Sequence, residues 1–257
     1  MTRTRLVFAA GAIGLGILAA APTQAAEIRL VGDMWCPMNC DPGSRPGYII
    51  EVVQEAMARS GHTVKYEIGD WDEAVARGLK DPAVNLVGAT RSDADGYVIG
   101  EEDVGSTVSV VVTRRDGAAF KDLADLKGRK IAASEGYSYG DDIDAFLKAN
   151  AQNVLFGSGE NPSLANLEAV LAGRADAALD DRNVAEYVLV DQQAIDLVSI
   201  SDAGAPEPLY IAFSPANPDA PRLAKDLDEG LKALKKDGTF ARIMAKYNLS
   251  DRSKPTG

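Results

Sequence analysis

The first residues suited to chemistry are Trp35, Cys36 and Cys40, which follow a short apolar segment with the composition of a β-strand. A tryptophan on a loop after a strand offers a flat amphipathic face that can cover a small ligand, although ordinary core packing is the alternative. The CxxxC spacing is not the CxxC of redox sites, and no histidine or third thiol lies nearby to suggest zinc. We therefore expect a disulfide that stiffens the loop carrying Trp35.

The rest of the sequence offers no familiar catalytic constellation. It contains no evident Ser/His/Asp or Cys/His set, no glycine-rich phosphate loop and no cluster of metal ligands. The single histidine, His62, follows Gly61 at the end of a predicted helix and is interpreted as a surface or capping residue. The sequence therefore predicts neither a metal nor a cofactor, and it favours binding over catalysis.

Residues 1–26 have the pattern of a secretory signal: two arginines, an unbroken apolar run and a small-residue exit. We expect cleavage after Ala25 or Ala26. No second apolar stretch of about 18 residues follows, so the mature protein is expected to be periplasmic and soluble. An oxidising compartment also favours the disulfide between the two cysteines.

The charge balance argues against two classes of partner. The 257 residues carry a formal net charge of −11. A strongly acidic protein repels nucleic acid and anionic membrane surfaces, so neither is expected as a partner. The charge alone does not define the ligand.

Hydrophobic periodicity predicts an α/β protein. The first block reads βαβαβ, with two helices that begin near Gly47 and Trp71 and strands at Ile28–Val31, Val64–Ile68 and Ala83–Ala89. This alternation predicts a largely parallel sheet, and ligands of such sheets lie beyond the carboxyl ends of the strands. The second predicted helix is expected to turn Ala74, Val75 and Leu79 inward.

A second alternation begins at Val108–Thr113 and continues to about residue 200, with a helix capped by Ser163 in its middle. Two amphipathic helices close the chain, at 222–236 and 239–247. They have no sheet of their own to cover, so we expect them to pack on the first block. The predicted division is residues 1–26 as signal, 27–105 and 208–257 as lobe 1, and 106–207 as lobe 2, with two chain crossings that form a hinge.

Three motifs carry a resemblance to a known family. They are DLKGRKIA at 125–132, LAGRADAAL at 171–179 and KDGTF at 236–240. With these motifs the sequence resembles the family 3 extracellular solute-binding proteins, the receptors of amino-acid-type ABC importers. The resemblance implies the type II periplasmic binding protein fold, with two α/β lobes, a two-segment hinge and a ligand cleft between them. It also implies a monomer whose partners are a small molecule and a membrane permease.

The resemblance assigns ligand contacts to particular residues. Trp35 and Trp71 stand where two aromatic residues sandwich the ligand in the family. Asp181, with Asp180 beside it, stands where an acidic residue binds the ligand ammonium, and capping of the next helix is the alternative role. Tyr137 and Ser138 lie on the loop that meets the ligand carboxylate in the family, although acidic residues in the following helical turn oppose an anion there.

The sequence departs from the family after β-strand residue Ala89. The family pattern places an arginine three residues past Thr90, where it forks onto the α-carboxylate of the ligand. This sequence has Asp93 at that position, and Arg91 is two residues early. Arg91 either supplies the same fork or is a solvated loop residue. In the second case a cationic, amine-bearing or aromatic ligand fits better than an ordinary amino acid.

The sequence is interpreted as a periplasmic solute-binding protein that captures an amino acid or a related amine or aromatic compound and delivers it to an ABC importer. The alternative is a periplasmic enzyme on the same fold, similar to cyclohexadienyl dehydratase, with Asp93, Glu135, Asp180 or Asp181 as a general acid. A third interpretation is that the protein is the sensing module of a receptor. The sequence does not name the ligand or the permease.

Overall fold

The computed structural model describes residues 25–43, 45–117, 120–157 and 161–250. The expected signal segment therefore lies outside the described residues, apart from Ala25 and Ala26. In chain order the strands and helices are β1 (Glu27–Gly32), α1 (Tyr48–Ala58), β2 (Thr63–Ile68), α2 (Trp71–Gly78), β3 (Asn85–Ala89), β4 (Gly105–Thr107), β5 (Ser109–Arg114), β6 (Ile131–Ser134), α3 (Asp141–Ala149), β7 (Val154–Gly157), α4 (Pro162–Leu171), β8 (Ala177–Asp181), α5 (Arg182–Asp191), β9 (Val198–Asp202), β10 (Glu207–Ala212), α6 (Ala220–Asp237) and α7 (Thr239–Lys246).

The strands form two five-stranded sheets. The first has the order β2-β1-β3-β10-β4 and the second the order β7-β6-β8-β5-β9. In the first sheet β1 is parallel to β2 and β3, and β10 is antiparallel to β3 and β4. In the second sheet β6 is parallel to β7 and β8, and β5 is antiparallel to β8 and β9. The α/β class is confirmed, with mixed sheets where the sequence predicted largely parallel ones.

The antiparallel strands follow from the path of the chain. The chain leaves the first sheet through β4, whose last residue is Thr107, and enters the second sheet through β5. It returns through β10, in which Glu207 pairs with Thr107. The two crossing segments therefore lie side by side. Sequence analysis missed β4 because three residues are too few to show a period.

The C-terminal helices pack on the first block, as their apolar faces predict. Helix α6 lies against α1, and α7 contacts both of them. The buried face of α7 consists of Phe240, Ile243 and Met244 with Thr239. Apolar area removed from water drives this docking.

Three local predictions were wrong. Helix α4 is capped by Asn161, whose side chain accepts a hydrogen bond from the Leu164 N–H, and the predicted cap Ser163 lies inside the helix, because Pro162 fits its first turn. Leu79 is 40% exposed, because α2 ends before it. His62 is only 2% exposed: its Nδ1 accepts the Ala26 N–H at 3.0 Å.

The burial of His62 depends on a contact with a residue that is distant in the chain. Nε2 lies 3.0 Å from Asp226 Oδ2 on α6, so the imidazole joins the start of β1 to the C-terminal helix. The two partners are 164 residues apart in the chain, and no local pattern brings them together. Both ring nitrogens are thus occupied in a structural contact.

The packing of α6 on α1 gives a stability prediction. A Cβ on Gly230 would lie 2.4 Å from the carbonyl oxygen of Ala56. We expect Gly230→Ala to lower the free energy of unfolding by about 1–3 kcal/mol, because backbone must move and this outweighs the helix propensity gained. Urea denaturation measures the change.

The matched control for Gly230→Ala is Glu229→Ala, on the exposed side of the same helix. This substitution should change stability by no more than about 0.5 kcal/mol. A Gly230→Ala protein as stable as the parent would contradict the close approach of the two helices.

Candidate functional site

A cavity of about 490 Å³ lies between the two sheets. Its volume falls within the range of small-molecule sites. The walls come from both sheets, at the ends of β1, β3, β6 and β8 and at the start of α2. The lining residues are Asp33, Trp35, Asp70, Trp71, Asp72, Val87, Gly88, Thr90, Asp93, Thr107, Ser109, Gly136, Tyr137, Ser138, Tyr139, Asp180, Asp181 and Leu209.

Seven of the eight residues assigned from the sequence line this cavity: Trp35, Trp71, Thr90, Asp93, Tyr137, Ser138 and Asp181. Arg91, the eighth, is not a lining residue. Its Nη2 donates to the Tyr210 hydroxyl at 2.9 Å, and its Cζ lies 4.5 Å from the centre of the Tyr210 ring. In this arrangement its guanidinium is directed at Tyr210 and not at the cleft.

Trp35 lies on a short, heavily bonded loop. Its backbone N–H and C=O pair with Asn39 at 2.8 and 3.1 Å, which closes the loop on itself. A disulfide joins Cys36 to Cys40 across the same turn, as the sequence predicts. The indole lies next to Gly88, whose φ of +73° is a backbone conformation that L side chains rarely adopt. These constraints fix the orientation of the aromatic face.

Trp71 is positioned by a helix start. Asp70 is the N-cap of α2, and its Oδ1 accepts the Glu73 N–H at 2.8 Å. Trp71 is therefore the first helical residue, and it stands at the mouth of the cavity with Asp70 and Asp72 on either side. Both acidic side chains are exposed.

Thr90 and Asp93 form a closed unit. One carboxylate oxygen of Asp93, Oδ2, accepts the Thr90 N–H at 2.9 Å and the Thr90 hydroxyl at 2.7 Å. Asp93 thus folds the loop after β3 and occupies both donors of Thr90. Sequence analysis identified the unusual position of Asp93 but not this contact, which depends on the side-chain rotamer.

The loop after β6 is tied in a similar way. Asp144, in the first turn of α3, accepts the Ser138 hydroxyl at 2.5 Å and the Tyr139 N–H at 2.9 Å. The Tyr139 hydroxyl is buried and accepts the Ser134 N–H at 2.8 Å. Burial raises the pKa of Tyr139 to about 12, so its phenol is neutral at pH 7. Tyr137 projects into the cavity with 40% of its surface exposed.

Asp181 is saturated with hydrogen bonds. Its Oδ2 accepts the Thr107 hydroxyl at 2.7 Å and the Val108 N–H at 2.9 Å. Its Oδ1 accepts the N–H groups of Asn183 and Val184 at 2.7 and 3.1 Å, which makes it the N-cap of α5. The capping alternative considered from the sequence is therefore present.

Asp180 has the opposite environment. It is 3% exposed, and its Oδ1 accepts the Ser163 hydroxyl at 3.2 Å and the Asp181 N–H at 2.8 Å. Its Oδ2 has no hydrogen-bond partner among the described residues, although Asp180 lines the cavity. Burial raises the pKa of Asp180 to about 7, and the neighbouring Asp181 carboxylate acts in the same direction. From the sequence, Asp180 was named as the neighbour of Asp181 and, in the enzyme alternative, as one of four possible general acids.

Other lining residues were missed or underused. Asp33, Thr107 and Ser109 sit at strand ends, which is the one signal that would have found them. Burial raises the pKa of Asp33, and the nearby Asp70 carboxylate raises it further. Within the described ranges, no group of three or more histidine, cysteine or acidic side chains is arranged to hold a metal ion. No helix in those ranges is long and apolar enough to span a membrane.

Comparisons with known proteins agree with this architecture. No protein-family model matches the sequence. The chain is 28% identical to the L-cystine-binding protein TcyA of Bacillus subtilis over 83% of its own length and 76% of the relative. It is 27% identical to a probable amino-acid ABC transporter-binding protein of Haemophilus influenzae, over 80% of this chain and 77% of that one.

Solved structures share the fold at low identity. A structure from a study of glutathione import in Streptococcus mutans matches with a TM-score of 0.69 at 21% identity, over 90% of this chain and 99% of that chain. An ancestral amino-acid-binding protein, a precursor of cyclohexadienyl dehydratase, matches at 0.63 and 20%, over 86% and 95%. A histidine kinase sensor domain similar to periplasmic binding proteins matches at 0.64 and 22%, over 86% and 95%.

Fold and site together define a periplasmic-binding-protein-like α/β protein with an inter-sheet cleft. The chain is a relative of the substrate-binding proteins of amino-acid ABC transporters. The resemblance carried by the three sequence motifs is thereby confirmed.

The buried Asp180 gives a pH prediction. The pKa of its carboxyl rises from 3.8 to about 7, so the folded protein holds the proton more tightly than the unfolded chain. The contribution of this group to the free energy of unfolding therefore falls as pH rises from about 4 to about 7 and then levels off. The Asp180→Asn variant lacks this pH-dependent loss. We therefore expect its free energy of unfolding, relative to that of the wild type, to rise by at least about 1 kcal/mol between pH 5 and pH 8.

Urea denaturation of both proteins at the two pH values measures that difference. The control is Asp95→Asn, which removes one exposed carboxylate outside the cavity. It should shift stability by a similar amount at both pH values. If Asp180→Asn did the same, Asp180 would not titrate in this range.

Proposed function

We propose that the protein captures a small organic molecule between two lobes and presents it to the permease of an ABC importer. The observation that carries the proposal is the cavity between the sheets, in which Trp35, Trp71 and Tyr137 supply aromatic surface and strand ends from both sheets supply polar groups. Relatives named as cystine-binding and amino-acid ABC transporter-binding proteins support an amino acid or a related amine or aromatic compound as the ligand.

The proposed lobes are residues 27–105 with 208–257, and residues 106–207. The sheet composition supports this division, because β4 and β10 lie at its two crossings and pair with each other. Two adjacent crossing segments form the kind of hinge that closes domains around a ligand. Closure buries the ligand, so the closed form should be populated mainly when ligand is bound. The protein is proposed to act as a monomer.

The two tryptophans provide the test of this proposal. Native mass spectrometry of protein purified from its host identifies a bound compound, and binding of that compound should change tryptophan fluorescence. We expect Trp71→Ala to weaken binding by about tenfold, equivalent to about 1.4 kcal/mol, because the stacking surface is lost. Isothermal titration calorimetry measures the dissociation constant.

The matched control is Phe156→Ala, which removes an aromatic side chain that is 54% exposed and outside the cavity. Its affinity should equal that of the wild type. Equal affinities of all three proteins would remove Trp71 from the site, and failure of any compound to bind would count against the proposed function itself.

Export to the periplasm is proposed from the signal pattern and from a relative named as an extracellular-binding protein. We propose cleavage after Ala25, because Ala26 makes two backbone contacts in the first sheet. Its N–H donates to His62 at 3.0 Å, and its C=O accepts the Thr63 N–H at 2.9 Å. Cleavage after Ala26 would lose both.

The intact mass of the exported protein should therefore correspond to a chain that begins at Ala26. The masses of the non-reduced and reduced protein should differ by two hydrogen atoms, since the Cys36–Cys40 bridge is the only disulfide expected. A chain that begins at Glu27 would contradict the assigned cleavage position.

A second candidate is an enzyme on the same fold. The observation that favours it is Asp180, a buried carboxyl with a pKa of about 7 in a small-molecule cavity, which is a property of general acids. An ancestral binding protein described as a precursor of cyclohexadienyl dehydratase shares the fold. Catalytic consumption of a cyclohexadienyl substrate, lost in Asp180→Asn, would favour the enzyme; stoichiometric binding favours the receptor.

A further inference from the structure

The charged residues that line the cavity are all acidic. Six of its lining residues are aspartates: Asp33, Asp70, Asp72, Asp93, Asp180 and Asp181. None of its lining residues within the described part of the chain is lysine, arginine or histidine. Like charges in a partly enclosed site repel one another and any further anion, and a cation relieves that repulsion.

Donors on two of the loops that line the cavity are already bonded to carboxylates of the protein. On the first sheet the N–H and the hydroxyl of Thr90 are bonded to Asp93. On the second sheet the Ser138 hydroxyl and the Tyr139 N–H are bonded to Asp144. In both loops a carboxylate of the protein itself occupies these donors.

Arg91 does not bring a positive charge into the cavity, because its guanidinium donates to Tyr210 and stacks on that ring. An amino-acid carboxylate would have to displace an internal carboxylate in a cavity that contains no compensating positive side chain. The loss of those contacts and the repulsion both oppose its binding.

The cavity does offer a partner for a cation. Asp180 lines the cavity and is 3% exposed, and its Oδ2 is an acceptor without a hydrogen-bond partner among the described residues. A buried acceptor without a donor costs about 1–3 kcal/mol, so an ammonium or amidinium N–H placed there recovers this energy. The faces of Trp35, Trp71 and Tyr137 line the same space, and aromatic faces attract organic cations.

We infer that the ligand is an organic cation without a carboxylate, an amine or a guanidine, whose charged nitrogen pairs with Asp180. This inference rests on the proposed binding function and names the ligand class of the same site. Asp180 is then the residue that determines specificity for charge, and the aromatic side chains hold the rest of the molecule.

The inference has a pH consequence. The groups with titratable charge that face Asp180 are Asp181, Tyr137 and Tyr139, and Ser163 is its uncharged partner. None of these is cationic, so only the ligand supplies a positive charge beside Asp180. A bound cation favours the ionised carboxylate; the affinity should therefore rise between pH 6 and pH 8, with release of protons on binding.

The test uses matched pairs that differ by one carboxylate: agmatine with L-arginine, putrescine with L-ornithine, histamine with L-histidine and tyramine with L-tyrosine. Thermal shift and calorimetry are run on the wild-type mature protein. We expect at least one amine to raise the melting temperature and to bind at least tenfold more tightly than its amino acid. Equal or tighter binding of the amino acid, or no binding of any amine, overturns the inference.

Asp180→Asn tests the residue. The amide oxygen still accepts from Ser163 and from the Asp181 N–H, so the local fold should persist. The variant should bind the best amine at least tenfold more weakly and lose the pH dependence. Asp95→Asn, which removes an exposed carboxylate outside the cavity, should bind like the wild type. Unchanged affinity in Asp180→Asn overturns the assignment of this residue.

Proton release keeps the inference testable if the variant does not fold. Calorimetry of the wild type at pH 7 in phosphate and in Tris should give different apparent enthalpies, because the released protons are taken up by buffers whose enthalpies of protonation differ. Identical enthalpies overturn the pairing with Asp180. A protein that closes on an amino acid and on no amine retains the proposed function and loses only this inference, whereas a protein that binds no small molecule loses both.

Discussion

The carboxylate of Asp181 is the contact on which the second wall of the cleft depends. It holds Thr107 and Val108, where the chain passes from one sheet to the other, and it caps the helix that follows β8. The segment between the two sheets, β8 and α5 therefore meet at a single side chain. Because all four of its bonds are internal, the adjacent Asp180 is the carboxylate left to face the cavity, and two neighbouring aspartates perform different tasks.

The two tryptophans that line the cavity are positioned by backbone structure. Trp35 is held by a disulfide-closed loop with paired backbone groups, and Trp71 is held by the first turn of a capped helix. Both tryptophans follow strands of the first sheet, and contacts within the chain position each of them. A rigid wall on one side lowers the conformational entropy that a ligand has to offset on binding.

Much of this arrangement was predictable from the sequence because it is local. Hydrophobic periods predicted nearly every strand and helix, the position after the first strand indicated Trp35, and the family resemblance assigned Trp71 and Asp181. The wrong or missing features depend on distant contacts or on rotamers. His62 is buried because Asp226 reaches it from the far end of the chain. The orientation of Arg91 depends on Tyr210, and the closed Thr90 and Asp93 unit depends on a side-chain torsion that no sequence pattern encodes.

The contact between Asp93 and Thr90 affects both competition by ligand carboxylates and the ease with which ligand preference can change. A carboxylate tethered three residues from its donors acts at an effective concentration on the order of millimolar or more, whatever the solution contains. A free carboxylate at micromolar levels competes poorly against it. The Asp93 carboxylate therefore competes permanently with any ligand carboxylate for the donors of Thr90. Replacement of Asp93 by a residue without a carboxylate would release both donors, the N–H and the hydroxyl of Thr90. Ligand preference in such a scaffold is open to change through a single side chain that need not touch the ligand.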